Sequence, residues 1–207
     1  MKEIIIVGAF CEIVELCENL EYRITGIIDN VLTESFMGYE ILGPDDSAPE
    51  LINKHRDVPV LVSPDAPARR KALVDYYSKI GFTFCNIISP DSSVSRYSKF
   101  GKGVVIQSNA CVSTHTELGD FVKINSNANV MHESIIGNYV TVAPNSVILG
   151  RVKIGDYCYI GANSTILPNL VIGDNCTIGA GSVVTKDIKS GITVIGNPAR
   201  EYIKGQM

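Results

Sequence analysis

Three histidines supply the side chains of this sequence that are best suited to proton transfer at neutral pH: His55, His115 and His132. A neutral imidazole, whose ordinary pKa is about 6.5, can take a proton from an attacking nucleophile near pH 7. His132 is followed directly by the carboxylate of Glu133, whereas His55 lies in a polar stretch typical of a solvated surface. His132 is therefore the leading candidate for a general base, and His115 is its rival.

An unbroken six-residue repeat runs through the second half of the chain. One residue in every six is aliphatic, with a single phenylalanine: Val94, Phe100, Ile106, Val112, Leu118, Ile124, Val130, Ile136, Val142, Ile148, Ile154, Ile160, Ile166, Ile172, Ile178 and Val184. An α-helix repeats near 3.6 residues and a strand alternates at two, so neither local period explains a strict six. Glycine recurs every eighteen residues at Gly101, Gly119, Gly137, Gly155 and Gly173. Three hexads per eighteen residues predict a triangular coil with one aliphatic side chain pointing inward from each flat side.

Such a coil places residues that are eighteen apart in sequence about 4.8 Å apart in space. The repeated glycines are predicted to occupy corners because some corner residues need a positive φ. His132 also falls at a corner, where side chains point outward, and Gly150 lies one coil above it. Ala162 and Ala180 form another corner pair with the same spacing.

The period and the Ile/Val-Gly-x-x-Ser/Ala signature resemble those of the hexapeptide-repeat acyltransferases. The resemblance covers residues 94–200: residues 132–137 are similar to the family motif H-D/E-x-x-I-G, and residues 196–200 to its G-N/V-P-A-R/K ending. It implies a left-handed parallel β-helix, acetyl-CoA as the co-substrate without a metal, and a homotrimer with the site between adjacent coils.

The resemblance also implies roles for individual residues. His132 would take the proton, Glu133 would orient the imidazole, and the amide of Gly150 would bind the oxyanion of the tetrahedral intermediate. The pantetheine arm would run along the corner column of Ala162 and Ala180. Thr141 stands where family members often have a second histidine, which predicts weaker or different acetyl contacts. The remaining residues expected to contact the cofactor are cations near the C-terminus: Lys186, Arg200 and Lys204.

Residues 1–90 follow a different pattern, in which short apolar strands alternate with helical stretches. Strands are predicted at 3–7, 24–28, 58–62 and 82–88, and helical stretches at 10–20 and 66–80. This alternation is typical of a small parallel α/β domain, here of the Rossmann-like type. Residues 89–93 are interpreted as the connection, so we expect an α/β domain over 1–90 and a β-helix domain with a C-terminal tail over 91–207.

Residues 3–29 have the outline of a mononucleotide-binding unit. A first strand is followed by Gly8, a helix, a second strand and Asp29. Only one of the three fingerprint glycines is present, and such a turn taken alone is more often structural. However, an α/β domain before a left-handed coil resembles the sialic acid O-acetyltransferases and nucleotide-amino-sugar N-acetyltransferases. That resemblance implies that Gly8, Ala9 and Asp29 contact a nucleotide-linked sugar, with His115 as a further substrate contact. The family's histidine-containing first turn is replaced here by residues 10–12.

Composition excludes several other classes of function. Hydrophobic residues make up 45% and charged residues 19% of the chain, which is ordinary for a globular protein. A net charge of −4 offers no basic field for nucleic acid or an anionic membrane. No apolar run approaches the roughly 20 residues of a membrane span, and no signal peptide is recognisable, so we expect a soluble cytoplasmic protein. The six cysteines form no CxxC pair and are predicted to be small buried side chains.

We therefore expect acetyl-CoA-dependent acetylation of the amine of a nucleotide-linked amino sugar, in surface-glycan biosynthesis. O-acetylation of a sugar hydroxyl, as in sialic acid modification, stays open because the same base and oxyanion donor would serve both acceptors. A non-catalytic nucleotide-sugar-binding or structural coil is a further alternative, and it would need no base. A zinc carbonic anhydrase of the hexapeptide type would need three histidine ligands that include a closely spaced pair, and His115 and His132 have no further histidine nearby in the sequence.

Overall fold

The computed structural model describes residues 2–203, and its contacts divide the chain between Pro90 and Asp91 into two compact units. The elements of the first unit follow one another as β1 (Glu3–Val7), α1 (Cys11–Asn19), β2 (Arg23–Ile28), β3 (Ser35–Phe36), β4 (Tyr39–Gly43), a 3₁₀ turn (Asp45–Ser47), α2 (Ala48–Lys54), β5 (Val60–Val62), α3 (Pro67–Ile80) and β6 (Ile87–Ile88). Strands β1 to β5 form one sheet in the order β3-β4-β2-β1-β5, parallel except for the β3–β4 pair. No helix in the described part is long and apolar enough to cross a membrane.

The centre of this unit is strand β1, whose Ile4, Ile5 and Ile6 are completely buried. Successive residues of a strand point to opposite faces, so burial of all three means that both faces of the sheet are covered. Helix α1 contributes Ile13 and Val14 to the same core. The continuous apolar run that predicted the strand is thus explained by a central position in a parallel sheet.

Several parts of this unit differ from the sequence-based prediction, among them helix α2, which was not predicted. The expected strand over 82–88 is reduced to β6 and one isolated bridge between Val60 and Phe84. The β3–β4 hairpin was not predicted, because its turn pairs Met37 (φ 52°) with Gly38 (φ 85°). Hairpin turns with two positive φ values are usually signalled by Asn-Gly or Asp-Gly, and Met-Gly does not carry that signal.

The second unit consists of repeated strands that pair in parallel, consistent with a left-handed β-helix, and ends in one antiparallel pair, Thr193–Ile195 with Arg200–Glu201. Its first face contains Ser93–Val94, Cys111–Val112, Asn129–Val130, Val147–Ile148, Thr165–Ile166 and Val183–Val184. The second face contains Lys99–Phe100, Glu117–Leu118, Ile135–Ile136, Lys153–Ile154 and Val171–Ile172. The third face contains Val105–Ile106, Lys123–Ile124, Thr141–Val142, Tyr159–Ile160, Thr177–Ile178, Thr193–Ile195 and Arg200–Glu201.

The predicted register of this coil is confirmed. Strands eighteen residues apart pair in parallel, as in Asn129 with Val147 and Val130 with Ile148. Every hexad residue from Ile106 to Val184 is buried, so the aliphatic ladder fills the inside of the coil. A slip of one residue would turn this whole ladder outward, which fixes the register tightly.

The reason predicted for the repeated corner glycines is wrong. Positive φ values fall two residues after these glycines, for example at Tyr139 (φ 58°) and Tyr157 (φ 60°). Gly137 is required instead by close packing: a Cβ there would lie 2.5 Å from Oδ1 of Asp156 and 2.7 Å from the carbonyl carbon of Gly155. The short contact lets Asp156 Oδ1 accept a hydrogen bond of 2.7 Å from the N–H of Asn138.

The prediction that the cysteines are buried is confirmed for Cys17, Cys158 and Cys176. It is wrong for Cys11, which is exposed on α1, and Cys85 and Cys111 are only partly buried. Burial raises the pKa of the Cys158 thiol to about 12, so this group stays protonated at neutral pH. Its Sγ donates to the carbonyl of Gly173 at 3.0 Å. These contacts give Cys158 a structural role inside the coil.

We expect Gly137→Ala to lower the stability of the coil by about 2 kcal/mol, or roughly 4–8 °C in melting temperature, because the added Cβ collides with backbone. The matched control is Gly181→Asn. Gly181 has a positive φ of 68° and open space around it, and Asn163 occupies the equivalent position one coil earlier. Thermal unfolding followed by circular dichroism checks both variants. Equal melting temperatures for Gly137→Ala and wild type would contradict this account of the glycines.

Candidate active site

The corner between the first and second faces carries the predicted base. His132 lies in the turn between strands Asn129–Val130 and Ile135–Ile136, and Glu133 occupies its left-handed position with φ 59°. The N–H of Glu133 donates to the carbonyl of Thr114 at 3.0 Å, one coil below. The turn is therefore fixed by backbone bonds, and both side chains project from a rigid support.

The imidazole of His132 and the carboxylate of Glu133 contact each other, with 3.0 Å between Nδ1 and Oε2. Both side chains are accessible, at 41% and 54% of their full exposure. The hydrogen bond from His132, together with one from Arg151, lowers the pKa of the Glu133 carboxyl below its usual value. An ionised carboxylate at Nδ1 favours the tautomer that leaves Nε2 free to accept a proton.

Gly150 packs directly against the same ring. A Cβ at this position would lie 2.5 Å from Nε2 and 2.6 Å from Cε1 of His132, so no larger residue fits without moving the imidazole. Within residues 2–203, the N–H of Gly150 donates to no acceptor. A proton acceptor and an unpaired amide donor thus lie side by side, one coil apart, as the eighteen-residue spacing predicts.

Ala162 and Ala180 lie at a different corner, between the third and first faces. Their amides also donate no hydrogen bond to any described residue, and Ala162 is half-buried while Ala180 is exposed. This column could therefore bind carbonyl groups of an extended ligand. The structure of one chain does not bring it together with His132, because the whole first face lies between the two corners.

The other residues expected to contact the cofactor are scattered over the coil. Thr141 lies on the third face and is fully buried. Lys186 is exposed three coils beyond His132 in the same column, and lines a cavity of about 230 Å³ with Lys189 and Ala199. Arg200 is exposed on the last strand, and its Nη1 donates to the carbonyl of Ala199 at 2.9 Å. Lys204 lies outside the described residues.

His115 has surroundings unlike those of His132. Its ring stacks on Tyr97, with centroids 5.7 Å apart and planes inclined by 4°, and its Nδ1 lies 2.9 Å from Oγ1 of Thr114. In the described part of the chain no carboxylate is bonded to this imidazole. His55 caps the end of α2 and is half-buried. The arrangement of the three histidines therefore favours His132 as the base.

In the first unit, Gly8, Ala9 and Asp29 come together at the carboxyl ends of β1 and β2. Gly8 has φ 91°, and a Cβ there would lie 2.7 Å from Oγ of Ser63. The Asp29 carboxylate accepts the N–H of Ala9 at 3.1 Å through Oδ2 and that of Val31 at 2.9 Å through Oδ1. Asp29 therefore holds the two loops in position as well as facing the cleft between them.

The acidity of Asp29 follows from those contacts. Burial acts to raise the pKa of the carboxyl, but hydrogen bonds from the amides of Val31, Leu32 and Ala9, together with the charge of Arg69, outweigh it and lower the pKa. Asp29 is therefore a fixed negative charge at neutral pH.

Three residues that the sequence did not single out complete this cleft: Asn30, Asp45 and Arg69. The Nδ2 group of Asn30 donates to Oδ2 of Asp45 at 2.6 Å, and Nη2 of Arg69 lies 3.8 Å from that same oxygen. Together with Gly8 and Asp29 they line a cavity of about 110 Å³. The signal that could have identified them is their position at the carboxyl ends of parallel strands and at the start of a helix, where open α/β sheets bind ligands.

No group of three His, Cys, Asp or Glu side chains among residues 2–203 is placed to hold a metal ion.

Comparison with known proteins agrees with this geometry. Residues 115–150 and 151–186 match the family model described as bacterial transferase hexapeptide (six repeats). Residues 115–186 of the coil are thus similar to the hexapeptide repeats of bacterial transferases. This hexapeptide coil contains His132, Glu133 and Gly150 within the matched residues. A search of curated proteins by sequence gave no match.

Solved structures resemble the chain over nearly its whole length. The acetyltransferase domain of PglB from Neisseria gonorrhoeae FA1090, in complex with acetyl coenzyme A, is 26% identical with a TM-score of 0.90, covering 97% of this chain and 99% of that one. WeeI from Acinetobacter baumannii AYE is 27% identical with a TM-score of 0.87, covering 98% and 100%. PerB from Caulobacter crescentus, in complex with CoA and GDP-perosamine, is 24% identical with a TM-score of 0.91, covers 98% of both chains and shares the fold. The α/β unit and the hexapeptide coil thus occur together in each of these proteins.

We expect Gly150→Ala to displace the His132 ring, because the added Cβ would lie 2.5 Å from its Nε2. The carbon-bound ring protons of the three histidines, observed by NMR, check this expectation. The His132 resonances should shift or broaden, while those of His55 and His115, which do not touch Gly150, act as internal controls. Unchanged His132 resonances would mean that the ring does not lie against Gly150.

Proposed function

We propose that this chain is an acetyl-CoA-dependent acetyltransferase that acetylates the free amine of a nucleotide-linked amino sugar, in the biosynthesis of surface glycans. The observation that carries the proposal is the corner where the Nε2 face of His132 meets Gly150, whose amide is unpaired within residues 2–203. Acyl transfer needs these two groups next to each other: a base for the nucleophile and a donor for the oxyanion.

In the reaction, the sugar amine attacks the thioester carbonyl of acetyl-CoA and forms a C–N bond. His132 Nε2 takes the proton that the nitrogen loses, and the N–H of Gly150 stabilises the oxyanion of the tetrahedral intermediate. Collapse of the intermediate breaks the C–S bond, and the proton held by His132 passes to the departing thiolate of coenzyme A. The carboxylate of Glu133, 3.0 Å from Nδ1, stabilises the imidazolium between the two transfers.

Acetyl-CoA as the donor is supported by the PglB acetyltransferase domain, which was solved with this molecule bound. The amides of Ala162 and Ala180 would bind the pantetheine arm, and Lys186 and Arg200 would pair with its phosphates. Thr141 is fully buried on the third face, so the proposal gives it no direct contact with the acetyl group.

We further propose that the enzyme is a homotrimer and acts in the cytoplasm. The His132 corner and the Ala162 corner lie at opposite edges of the first face, a side of six residues that spans roughly 15–20 Å. A neighbouring chain would bring its own Ala162 column opposite His132, which completes one site from two chains. The triangular coil has flat sides suited to such packing.

The first unit supplies a site for the nucleotide of the acceptor. We interpret it as a Rossmann-like domain, in which nucleotides bind at the carboxyl ends of the parallel strands. Gly8 lets a ligand approach the backbone closely, and Ala9 and Asp29 would contact the nucleotide. Arg69, which is 58% exposed beside this cleft, is the cation placed to bind a diphosphate. His115 would contact the sugar.

The direct test is purified enzyme with acetyl-CoA and a panel of UDP-, GDP- and dTDP-linked amino sugars, with CMP-sialic acid and free sialic acid as hydroxyl acceptors. Coenzyme A release is followed with a thiol reagent, in a Cys11→Ser background that removes the exposed cysteine. We expect turnover with an amino sugar. Turnover with hydroxyl acceptors alone would replace N-acetylation by O-acetylation, and no turnover with either class would favour a non-catalytic coil.

His132→Ala should lower kcat by at least ~10²-fold while coenzyme A still binds, because the base is lost and the amide column is untouched. Calorimetric titration with coenzyme A and steady-state kinetics separate the two effects. His115→Ala is the matched control and should change KM for the sugar more than kcat. Unchanged turnover in His132→Ala, or a larger loss in His115→Ala, would overturn the assignment of the base.

A further inference from the structure

A column of four polar side chains runs along the corner beside the His132–Glu133 pair: His115, Glu133, Arg151 and Asn169. They are spaced by eighteen residues, and all four have left-handed backbone, with φ between 55° and 64°. Residues at the same position of successive coils lie about 4.8 Å apart, so neighbouring side chains in the column can bond to one another. The chemistry proposed above uses Glu133 and His115 from this column but leaves the other two unexplained.

Arg151 bonds to both of its neighbours in the column. Its Nη1 donates to Oε2 of Glu133 at 3.4 Å, the same oxygen that contacts Nδ1 of His132 at 3.0 Å. Its Nε donates to Oδ1 of Asn169 at 2.8 Å. The side-chain amide of Asn169 therefore holds the guanidinium of Arg151 at Nε, while Nη1 of the same guanidinium reaches the carboxylate of Glu133.

The backbone of Arg151 fixes the same corner. Its N–H donates to the carbonyl of His132 at 2.9 Å, and the N–H of Asn169 donates to the carbonyl of Gly150 at 3.0 Å. The coils that carry Arg151 and Asn169 are thus bonded to the two residues proposed to act on the substrate. The side chain of Arg151 bonds to Glu133, and its backbone N–H bonds to the neighbouring His132, both from one coil above.

An exposed ion pair by itself contributes little, typically 0–1 kcal/mol, because two long side chains must be ordered in water. A matched example on this coil is Lys99 with Glu117, which are also eighteen residues apart and 2.8 Å from each other, but on the second face and away from the corner. Arg151 differs from Lys99 in two respects: Asn169 restrains its guanidinium, and its carboxylate partner bonds to the proposed base.

We propose that Arg151, braced by Asn169, is a positioning residue that holds Glu133 where it orients the His132 imidazole for proton transfer. The inference rests on the acetyltransferase function proposed above. Arg151 acts through Glu133, so its effect belongs to the chemical step. A carboxylate bonded to a fixed guanidinium has few alternative rotamers, and the imidazole it orients then points Nε2 consistently toward Gly150.

The charge of Arg151 has a second consequence. Among the described residues, the ionisable groups bonded to Glu133 are His132 on its own turn and Arg151 one coil above, and His115 occupies the equivalent corner position one coil below. The bonds from His132 and Arg151 both lower the pKa of Glu133. Removing the guanidinium takes away one of the groups that lower the pKa of Glu133, so Arg151→Met should raise the pKa of that carboxyl. The acidic limb of the rate profile must then move in the same direction.

The test uses Arg151→Met, Arg151→Lys, Asn169→Ala and the double variant Arg151→Met/Asn169→Ala, with Lys99→Met as the matched control. We expect Arg151→Met to lower kcat about tenfold, with KM for both substrates within about twofold of wild type. The acidic limb of kcat/KM should move up by about 0.5 pH unit. Arg151→Lys keeps the charge, so its limb should stay in place, but it lacks the guanidinium edge that Asn169 holds, so kcat should be only partly restored.

Asn169→Ala should lower kcat a few-fold on its own and add nothing in the Arg151→Met background, because it acts only through the arginine. This variant alters an exposed amide, so the proposal can be tested even where Arg151→Met folds poorly. Lys99→Met should behave as wild type in every measurement.

Several outcomes would overturn the inference. Arg151→Met could match Lys99→Met, Asn169→Ala could add its full effect in the double variant, or Arg151→Met could raise KM for the sugar with unchanged kcat, which would make Arg151 a substrate contact. If any of these occurs while His132→Ala is inactive, the acetyltransferase function stands and only the role of Arg151 fails. If His132→Ala is fully active, the proposed function itself fails.

Discussion

Hydrogen bonding between successive coils is the constraint on which the rest of this structure depends. Most amides at the left-handed corner positions bond to a carbonyl eighteen or nineteen residues earlier, as Glu133 does to Thr114 and Arg151 to His132. These bonds fix the register of the coils, so the position of a residue in the sequence determines which residues lie above and below it. For this reason Gly150 lies against the His132 ring, and the column that contains Glu133 continues into Arg151.

The same constraint explains why a coil with a simple core can support a site. Inside, the ladder is aliphatic and every hexad residue from Ile106 to Val184 is buried. Outside, the corners are repeated, rigid positions at which an amide, a ring or a charge can be placed independently of the core. A small residue at position 150 exposes a backbone donor, and a histidine at position 132 supplies the base. Catalysis of the proposed kind needs little more than such preorganised groups.

Much of the coil could be predicted from the sequence because its structure is periodic. The hexad gave the faces and the core, and the eighteen-residue spacing placed Gly150 over His132. The reason for the corner glycines could not be derived in this way, because Gly137 is required by a close contact with Asp156 that only the stacked coils reveal. The bond from Arg151 to Glu133 was equally hidden, because two long side chains on the surface have many alternative rotamers.

The α/β unit was harder to predict, because its cleft is assembled from parts that are distant in sequence. Asp29 was recognised from the strand before it. Asn30, Asp45 and Arg69 come from a strand end, a 3₁₀ turn and a helix, and no spacing rule connects them. The β3–β4 hairpin was missed for a local reason, since Met37 at a positive φ is not a usual turn residue.

Complementation between two inactive variants tests the central claim most directly, namely that the His132 corner of one chain works with the Ala162 corner of another. His132→Ala and Ala162→Trp chains are each expected to be inactive, the first through loss of the base and the second through a blocked amide column. Coexpressed in equal amounts, they should assemble mixed trimers in which about a quarter of the sites combine an intact His132 with an intact Ala162 from the neighbouring chain. Recovery of roughly that fraction of wild-type turnover is the predicted result. Mixed oligomers that form but remain as inactive as either parent would contradict a site shared between chains.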